Sequence, residues 1–189
     1  MHGSYGAGAC CPDEPCLTPV LAVLGNAMLS GTESGVTAMD RALATGVVTA
    51  ADLRAGLERL ASWPGVGQAR LAVALADGRA ESVGETRTRL LLGAVGFADV
   101  VPQVRITDAE GHVVARVDFL LGRVVVEFDG AVKYEGVDGR AALVAEKRRE
   151  DRLRSMGYEV VRLVWADLND PRRVRLLVCS ALARARPAA

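Results

Sequence analysis

The chain has 189 residues, half of them apolar and 24% charged, which is enough to bury the core of one domain or of one domain with a smaller companion. No apolar run approaches the roughly 18 to 20 residues that a membrane-spanning helix needs. The N-terminus also lacks the basic and apolar regions of a signal peptide. These features argue against a membrane-spanning helix and lead us to expect a cytoplasmic protein.

Basic and acidic residues balance at 23 each, but they are unevenly distributed along the chain. From Arg140 to the C-terminus, 12 lysines and arginines oppose 6 aspartates and glutamates. A basic third of this kind suits a polyanionic partner. Because many of these arginines alternate with acidic residues on a helix, an ordinary solvated face explains them equally well.

Residues 1–16 are rich in glycine, cysteine and proline, so we expect them to be disordered. Three of the four cysteines lie in this segment, and Cys179 stands alone near the C-terminus. With His2 and His112 as the only histidines, the sequence lacks the paired spacing of a zinc site. It also offers no Cys/His or Ser/His pair for nucleophilic catalysis.

Residues 17–79 have the pattern of a small helical segment with short breaks. Thr49 and Asp52 have the spacing of a capping box, which predicts a helix that ends near Trp63. A proline and a glycine interrupt the pattern, and Val66–Ala76 forms the next helix. No catalytic constellation is visible in this segment, and we place its boundary with the following domain between residues 79 and 80.

The second half predicts a different architecture, in which helices and strands follow one another in the order αβββαβα. This order indicates an α/β fold. The expected elements are a helix over Ser82–Val95, strands over Val101–Ile106, Val113–Leu121 and Val124–Phe128, a charged helix over Arg140–Met156, a strand over Tyr158–Trp165 and a closing helix over Pro171–Arg186.

Gly122 and Arg123 separate the second and third strands, and a two-residue loop of this kind closes a β-hairpin. The turn pairs Leu121 with Val124 and sets Asp118 opposite Glu127. One face of the hairpin is then wholly apolar, with Val117, Phe119, Leu121, Val124, Val126 and Phe128. The opposite face carries Arg116, Asp118, Leu120, Val125, Glu127 and Asp129.

Carboxylates that lie opposite one another in a sheet repel and need a compensating cation. A hard divalent metal, held by one or two carboxylates and a substrate phosphate, would supply that cation. The alternative is a solvent-facing side on which Asp118 and Glu127 pair with Arg116 and Arg123. The hairpin alone leaves both interpretations open.

Four segments of the second half resemble the PD-(D/E)XK nuclease superfamily. The likeness is strongest to actinobacterial domains of unknown function that are related to very-short-patch-repair endonucleases. The segments are ESVGETRTRL from Glu81, RVDFLL from Arg116, VVVEFDGAVKY from Val124 and EKRREDRLRSMGYEVVRLVWADL from Glu146. The resemblance covers residues 80–187 and implies a restriction-endonuclease-like αβββαβ core, a mixed sheet flanked by helices.

The same resemblance implies a metal-dependent DNA endonuclease or nickase that hydrolyses phosphodiester bonds. In the superfamily, carboxylates hold one or two Mg²⁺ or Mn²⁺ ions beside the scissile phosphate. Carried over by position, Glu85, Asp118 and Glu127 are the metal ligands, and the carbonyl of Phe128 adds another. Ser82 and Glu85 also have the spacing of a helix capping box, and the two roles of Glu85 are compatible.

The superfamily pattern places a lysine two residues after the second acid, where this chain has Asp129. That lysine orients the attacking water or neutralises the transition state. Lys133 and Lys147 are the only lysines in the chain, and either could supply the amine. Lys147 is the better candidate, because its helix packs near the sheet in this fold. Asp129 could instead be a further metal ligand, or begin a turn with Gly130.

Three arginines are candidates for contact with nucleic acid. Arg162 interrupts a strand of valine and leucine, so it either pairs with a site carboxylate or reaches a phosphate. Arg148 and Arg154 lie on the charged helix, where Arg154 could pair with Glu150 at i,i+4. DNA is therefore the expected partner, without a small-molecule cofactor, and a homodimer is an option because nucleases that cut both strands often pair.

Two segments of the first half, Gly31–Leu53 and Trp63–Ser82, resemble the region that precedes the nuclease-like domain in the same actinobacterial proteins. Those relatives often begin with a winged-helix region similar to AbiEi-type antitoxins, and we expect this chain to be a version that lacks it. Two other functions stay open. One is a non-catalytic nucleic-acid-binding or regulatory protein of a toxin–antitoxin or defence system, which the missing lysine favours. The other is a degenerate fragment without activity.

Overall fold

The structure is a computed structural model that describes residues 17–130 and 137–185, with only the backbone described between 137 and 143. The chain divides between Ala76 and Asp77 into two compact units. The boundary expected from the sequence lies three residues further along. Within the described ranges, no helix combines the length and the apolar character needed to cross a membrane.

The described part of the first unit contains four helices. They are α1 (Pro19–Ser30), α2 (Thr32–Ala44), α3 (Ala50–Arg59) and α4 (Val66–Leu75). The predicted capping box is confirmed, because Asp52 N–H donates to Thr49 Oγ1 at 3.1 Å and Thr49 N–H donates to Asp52 Oδ2 at 2.8 Å. Helix α3 ends at Arg59, earlier than the predicted end near Trp63, since the chain turns over Leu60.

The second unit confirms the predicted α/β class and the order of its elements. They are α5 (Val83–Ala94), β1 (Val101–Thr107), β2 (Val113–Leu121), β3 (Val124–Phe128), α6 (Val137–Ser155), β4 (Glu159–Leu163) and α7 (Pro171–Arg184), with one 3₁₀ turn over Asp167–Asn169. Strand β4 is shorter than predicted. Its continuation turns away from the sheet, where Val164 N–H donates to Asp167 Oδ2 at 3.0 Å.

The four strands form a mixed open sheet in the order β1-β2-β3-β4. Strand β2 pairs antiparallel with β1 and β3, whereas β3 pairs parallel with β4. The predicted hairpin register is confirmed, since Leu121 pairs with Val124 and Phe119 with Val126. A parallel pair needs a crossover connection, and α6 lies on the connection between β3 and β4.

The side chains of β3 alternate between two hydrophobic clusters, as the period of two in a strand requires. Val124 and Val126 are buried with Phe119 in a cluster that includes residues of α5 and α7. Val125 is buried in a second cluster with Leu153 of α6. The sheet therefore lies between α5 and α7 on one face and α6 on the other. Glu127 has the parity of Val125, so it lies on the face of α6.

Gly84, in the first turn of α5, allows the helix to approach the end of β3 closely. A Cβ atom at this position would lie 1.9 Å from Cε1 of the Phe128 ring. The same ring contacts Trp165 edge to face, with ring centroids 4.8 Å apart. These contacts fix the residue that directly follows Glu127.

We predict that Gly84→Ala lowers the free energy of unfolding by about 2 kcal/mol, because the added methyl overlaps the Phe128 ring. Gly93 is the matched control on the same helix, since nothing lies within 4 Å of a Cβ built there. Gly93→Ala should raise the free energy of unfolding by up to about 1 kcal/mol, the usual helix preference for alanine. Urea denaturation measures both changes. A Gly84→Ala protein at least as stable as wild type would contradict the close packing.

Candidate metal centre

An open cleft of about 340 Å³ lies on the face of the sheet that α6 partly covers. Its described lining consists of four carboxylates, three arginines and two further residues, namely Arg116, Asp118, Glu127, Phe128, Asp129, Gly130, Glu146, Arg149 and Arg162. The cleft therefore brings together Asp118, Glu127, Asp129 and Arg162, which the sequence named as candidates. Glu146 and Arg149 were not named.

Asp118 is a half-buried carboxylate on β2. Phe128 N–H, from the neighbouring strand, donates to its Oδ2 at 2.9 Å. The pKa of Asp118 is raised to about 6, chiefly because burial disfavours the charged form, and the charges of Glu85 and Glu127 add to the rise. The Phe128 hydrogen bond and the positive charge of Arg149 oppose it only in part. Asp118 is therefore a carboxylate that a further cation would stabilise.

Glu127 has a guanidinium partner on both of its oxygens. Arg149 Nη1 lies 2.8 Å from Oε1, and Arg149 Nη2 donates to Oε2 at 2.9 Å. Arg149 also contacts Glu146 on its own helix, through Nε at 2.9 Å and Nη2 at 2.6 Å. The hydrogen bonds to Glu146 and the charge of Glu127 raise the pKa of Arg149, so its side chain stays charged. Helix α6 thus supplies a cation that the sheet face needs.

The pairing with Arg116 and Arg123 that the sequence left open is not found for these carboxylates. Arg116 pairs with Glu81 at 2.5 Å. Arg123 Nη1 donates to the carbonyl oxygen of Met156 at 2.7 Å. Each of these arginines contacts another acceptor instead, while α6 places the guanidinium of Arg149 against Glu127.

Arg162, on β4, joins the cleft to the outer part of α6. Its Nη2 donates to Glu150 at 3.0 Å and to Glu146 over a shorter distance, and it lies 3.9 Å from Glu127. The interpretation of Arg162 as the partner of a site carboxylate therefore agrees with its contacts. Arg154 pairs with Glu150 at 2.8 Å, so the predicted i,i+4 pair is confirmed. The contacts of Arg162 hold α6 against the sheet, whereas the pair of Arg154 with Glu150 lies within the helix.

Glu85 is buried in the first turn of α5 and does not line the cleft. Its Oε1 accepts from the hydroxyl of Ser82 at 2.8 Å, and its Oε2 accepts from the N–H of Glu81 at 2.9 Å. Glu85 therefore caps the start of α5, as predicted, but with a shift of one residue. In a capping box it would accept the backbone N–H of the N-cap residue Ser82, whereas here it accepts the N–H of Glu81. Its role as a metal ligand stays a prediction.

Gln103 is a residue of the site region that the sequence did not reveal. It lies on β1 between Pro102 and Val104, which pair with Phe119 and Val117, so it stands opposite Asp118. Its φ of +57° is in the left-handed region, which costs a non-glycine residue about 1–3 kcal/mol.

The side chain of Gln103 reaches across to the first helix of the unit. Its Nε2 donates to Glu85 Oε2 at 2.8 Å. A single glutamine in a strand carries no sequence signal for such a contact.

The helical period of α6 explains which of its residues face the cleft. Leu153 is fully buried against the sheet, and residues four and seven positions earlier share its side of the helix. Those positions are Arg149 and Glu146, so this count would have identified both from the sequence. Lys147 and Arg148 fall outside that stripe and are exposed. Lys133 lies outside the described residues.

Among the side chains of residues 17–130 and 144–185, one group of three histidine, cysteine or acidic residues has ligand atoms all within 4.8 Å of one another. It consists of Asp108, Glu110 and His112 in the turn between β1 and β2. Asp108 already pairs with Arg152 at 2.7 Å and accepts the N–H of His112 at 2.8 Å. The predicted metal ligands Glu85, Asp118 and Glu127 do not have ligand atoms that all lie within 4.8 Å of one another.

The donor chemistry of the cleft nevertheless suits a hard divalent cation. Asp118 and Glu127 offer carboxylate oxygens from adjacent strands, and oxygen is the donor that Mg²⁺ prefers. One of these acids has a raised pKa and the other already binds a cationic side chain. Both observations identify the polar face of the sheet as a place that attracts positive charge.

Comparison with known proteins assigns nothing further to this chain. No family model, no curated protein and no solved structure matches it. The interpretation of the cleft therefore rests on its own residues and on the resemblance that those residues suggest.

We predict that Asp118→Asn stabilises the protein at alkaline pH and leaves it unchanged near pH 4. The folded pKa of about 6 exceeds the unfolded value of about 3.9, so the stability that protonated Asp118 contributes is complete below pH 4 and is lost as the pH rises through 6. Asparagine keeps an acceptor for Phe128 N–H and carries no charge. The gain at pH 8 should be about 1–2 kcal/mol after solvent screening.

Urea unfolding at pH 4, 6 and 8 in the presence of a chelator measures this dependence. Asp167→Asn is the matched control, because the pKa of Asp167 is shifted in the opposite direction. The N–H of Val164 and the side chain of Arg173 lower it. That variant should lose stability at pH 8. An Asp118→Asn protein less stable than wild type at pH 8 would show that the charge on Asp118 is already compensated.

Proposed function

We propose that the second unit is a divalent-metal-dependent DNA endonuclease or nickase of the very-short-patch-repair-like type. The observation that carries the proposal is the open cleft in which Asp118 and Glu127, from adjacent strands, lie with three arginines. The coarse architecture agrees with it, since a mixed sheet lies between helices and its elements follow the order αβββαβ. The restriction-endonuclease-like core itself is part of the proposal.

Asp118 and Glu127 would hold the Mg²⁺ or Mn²⁺ ion, with the carbonyl of Phe128 as a further donor. When bound, the metal would activate a water molecule and stabilise charge on the phosphate. The chain's own contribution is to orient these donors. Phe128 N–H fixes the Asp118 carboxylate at 2.9 Å, and Gly84 lets the Phe128 ring anchor the end of β3.

The charge of the cleft gives a reason why metal and substrate should bind together. Four carboxylates and three arginines line it in the described part of the chain, so by itself it does not attract a phosphate strongly. A divalent cation would make the cleft positive overall. DNA binding at this site should therefore depend on the metal, while Arg116, Arg149 and Arg162 supply donors that suit phosphate oxygens.

One observation favours a second candidate function, non-catalytic binding of nucleic acid. The described lining of the cleft contains Asp129 at the position of the superfamily lysine, and Lys147 is exposed away from it. A cleft that holds metal and DNA without activating water would bind and not cleave. Binding without turnover at saturating metal would distinguish this candidate from the nuclease.

We predict that Asp118→Asn and Glu127→Gln each reduce nicking of supercoiled plasmid by at least about a hundredfold, because each removes a charged ligand of the metal. Both variants should also weaken Mn²⁺ binding, which isothermal titration calorimetry measures. Glu110→Gln and His112→Ala are the matched controls, since they change the acidic turn between β1 and β2 instead. They should retain wild-type nicking and wild-type Mn²⁺ affinity.

Each outcome separates the candidates. Equal nicking by wild type and the two cleft variants would overturn the nuclease proposal. Loss of Mn²⁺ binding in His112→Ala, with binding retained in Glu127→Gln, would move the metal site to the turn. Metal-dependent DNA binding by wild type without nicking would support the non-catalytic function.

A further inference from the structure

We propose that Arg149 is an internal counter-ion that competes with the divalent cation for Glu127, so that metal binding and release of this arginine are coupled. The inference rests on the proposed function, because it concerns the same metal site. It starts from one contact: a single guanidinium pairs with both oxygens of the carboxylate that the metal would need.

The geometry puts the two cations in competition for Glu127. Arg149 contacts Oε1 at 2.8 Å and Oε2 at 2.9 Å, and the Glu127 side chain is only 13% exposed. A carboxylate paired in this two-oxygen mode has little room for a metal that must approach the same oxygens. Glu127 therefore exchanges one cation for the other, and the strength of its bonds to Arg149 lowers the apparent metal affinity.

The surroundings allow Arg149 to leave Glu127 without detaching α6. Glu146 holds the same guanidinium through Nε at 2.9 Å and Nη2 at 2.6 Å, on the same helix. The helix keeps its other anchors, which are the contacts of Arg162 with Glu146 and Glu150 and the buried side chain of Leu153. Loss of the contact between Arg149 and Glu127 would therefore leave these anchors in place.

The exchange would also give the cleft a cation for the substrate. A guanidinium released from Glu127 stays at the rim of the cleft, where Glu146 holds it. Its planar fork matches the oxygens of a phosphate group. This chain has Asp129 where the nuclease superfamily has its lysine. Arg149 is a cation that directly contacts the site carboxylate Glu127. Metal binding at Glu127 would therefore prepare Arg149 to contact the phosphate.

The test is calorimetric titration of Mn²⁺ into the full chain, with wild type, Arg149→Met and Arg116→Met compared. Arg116 is the matched control, because it lines the same cleft but pairs with Glu81 and not with Glu127. We expect Arg149→Met to bind Mn²⁺ about tenfold more tightly, since a charge-assisted pair no longer has to be broken. Arg116→Met should stay within about threefold of wild type, the effect of losing one nearby charge.

The outcomes separate this inference from the proposed function. Wild type and Arg149→Met binding Mn²⁺ equally would overturn the competition and leave the metal site standing. Equal gains in Arg149→Met and Arg116→Met would also overturn it, because the effect would then be general electrostatics. No binding by either wild type or Arg149→Met would overturn both proposals. Binding by Arg149→Met alone would support the competition in its strongest form.

A second variant guards against loss of the fold. Arg149 also contacts Glu146, so circular dichroism should first show that Arg149→Met remains folded. Arg149→Lys keeps the charge but cannot pair with both oxygens of Glu127 in the same plane. It should bind Mn²⁺ about threefold more tightly than wild type. An unchanged affinity in this variant would count against competition through the two-oxygen pair.

Discussion

The second unit depends on how negative charge is compensated on a half-buried face of its sheet. The hairpin places Asp118 and Glu127 on adjacent strands, where like charges raise each other's energy. Arg149 meets this constraint at Glu127 by pairing with both oxygens. At Asp118 the charged form remains disfavoured, since burial first, and the charges of Glu85 and Glu127 second, raise its pKa to about 6. A metal cation bound beside Asp118 would stabilise its charged form, and this links the fold to the proposed metal site.

The two faces of the sheet differ in character, because one is packed by apolar side chains and the other carries the charged cleft beside the smaller cluster around Val125 and Leu153. On the apolar face, Phe119, Val124 and Val126 are buried in a cluster with residues of α5 and α7, and burial of each side chain contributes about 1.5–3 kcal/mol. Phe128 closes this layer against Gly84 and Trp165. Burial on this face stabilises a sheet whose opposite face carries carboxylates that repel one another.

The sequence predicted the α/β class, the order of elements and the hairpin register, because turn chemistry and a period of two are local signals. It named Asp118, Glu127 and Arg162 but missed Arg149, whose contact with Glu127 joins residues 22 positions apart. Only the docking of α6 creates that contact. Lys147 lies on the helix that packs on the sheet, as expected, but its position around that helix leaves the side chain exposed. The metal roles of these residues stay predictions.

The proposed function requires that the cleft between β2, β3 and α6 bind a divalent cation. Anomalous diffraction from crystals of the protein grown with Mn²⁺ measures this directly. We expect an anomalous peak in contact with carboxylate oxygens of both Asp118 and Glu127. A peak at Asp108, Glu110 and His112 alone, or no peak at saturating Mn²⁺, would contradict it.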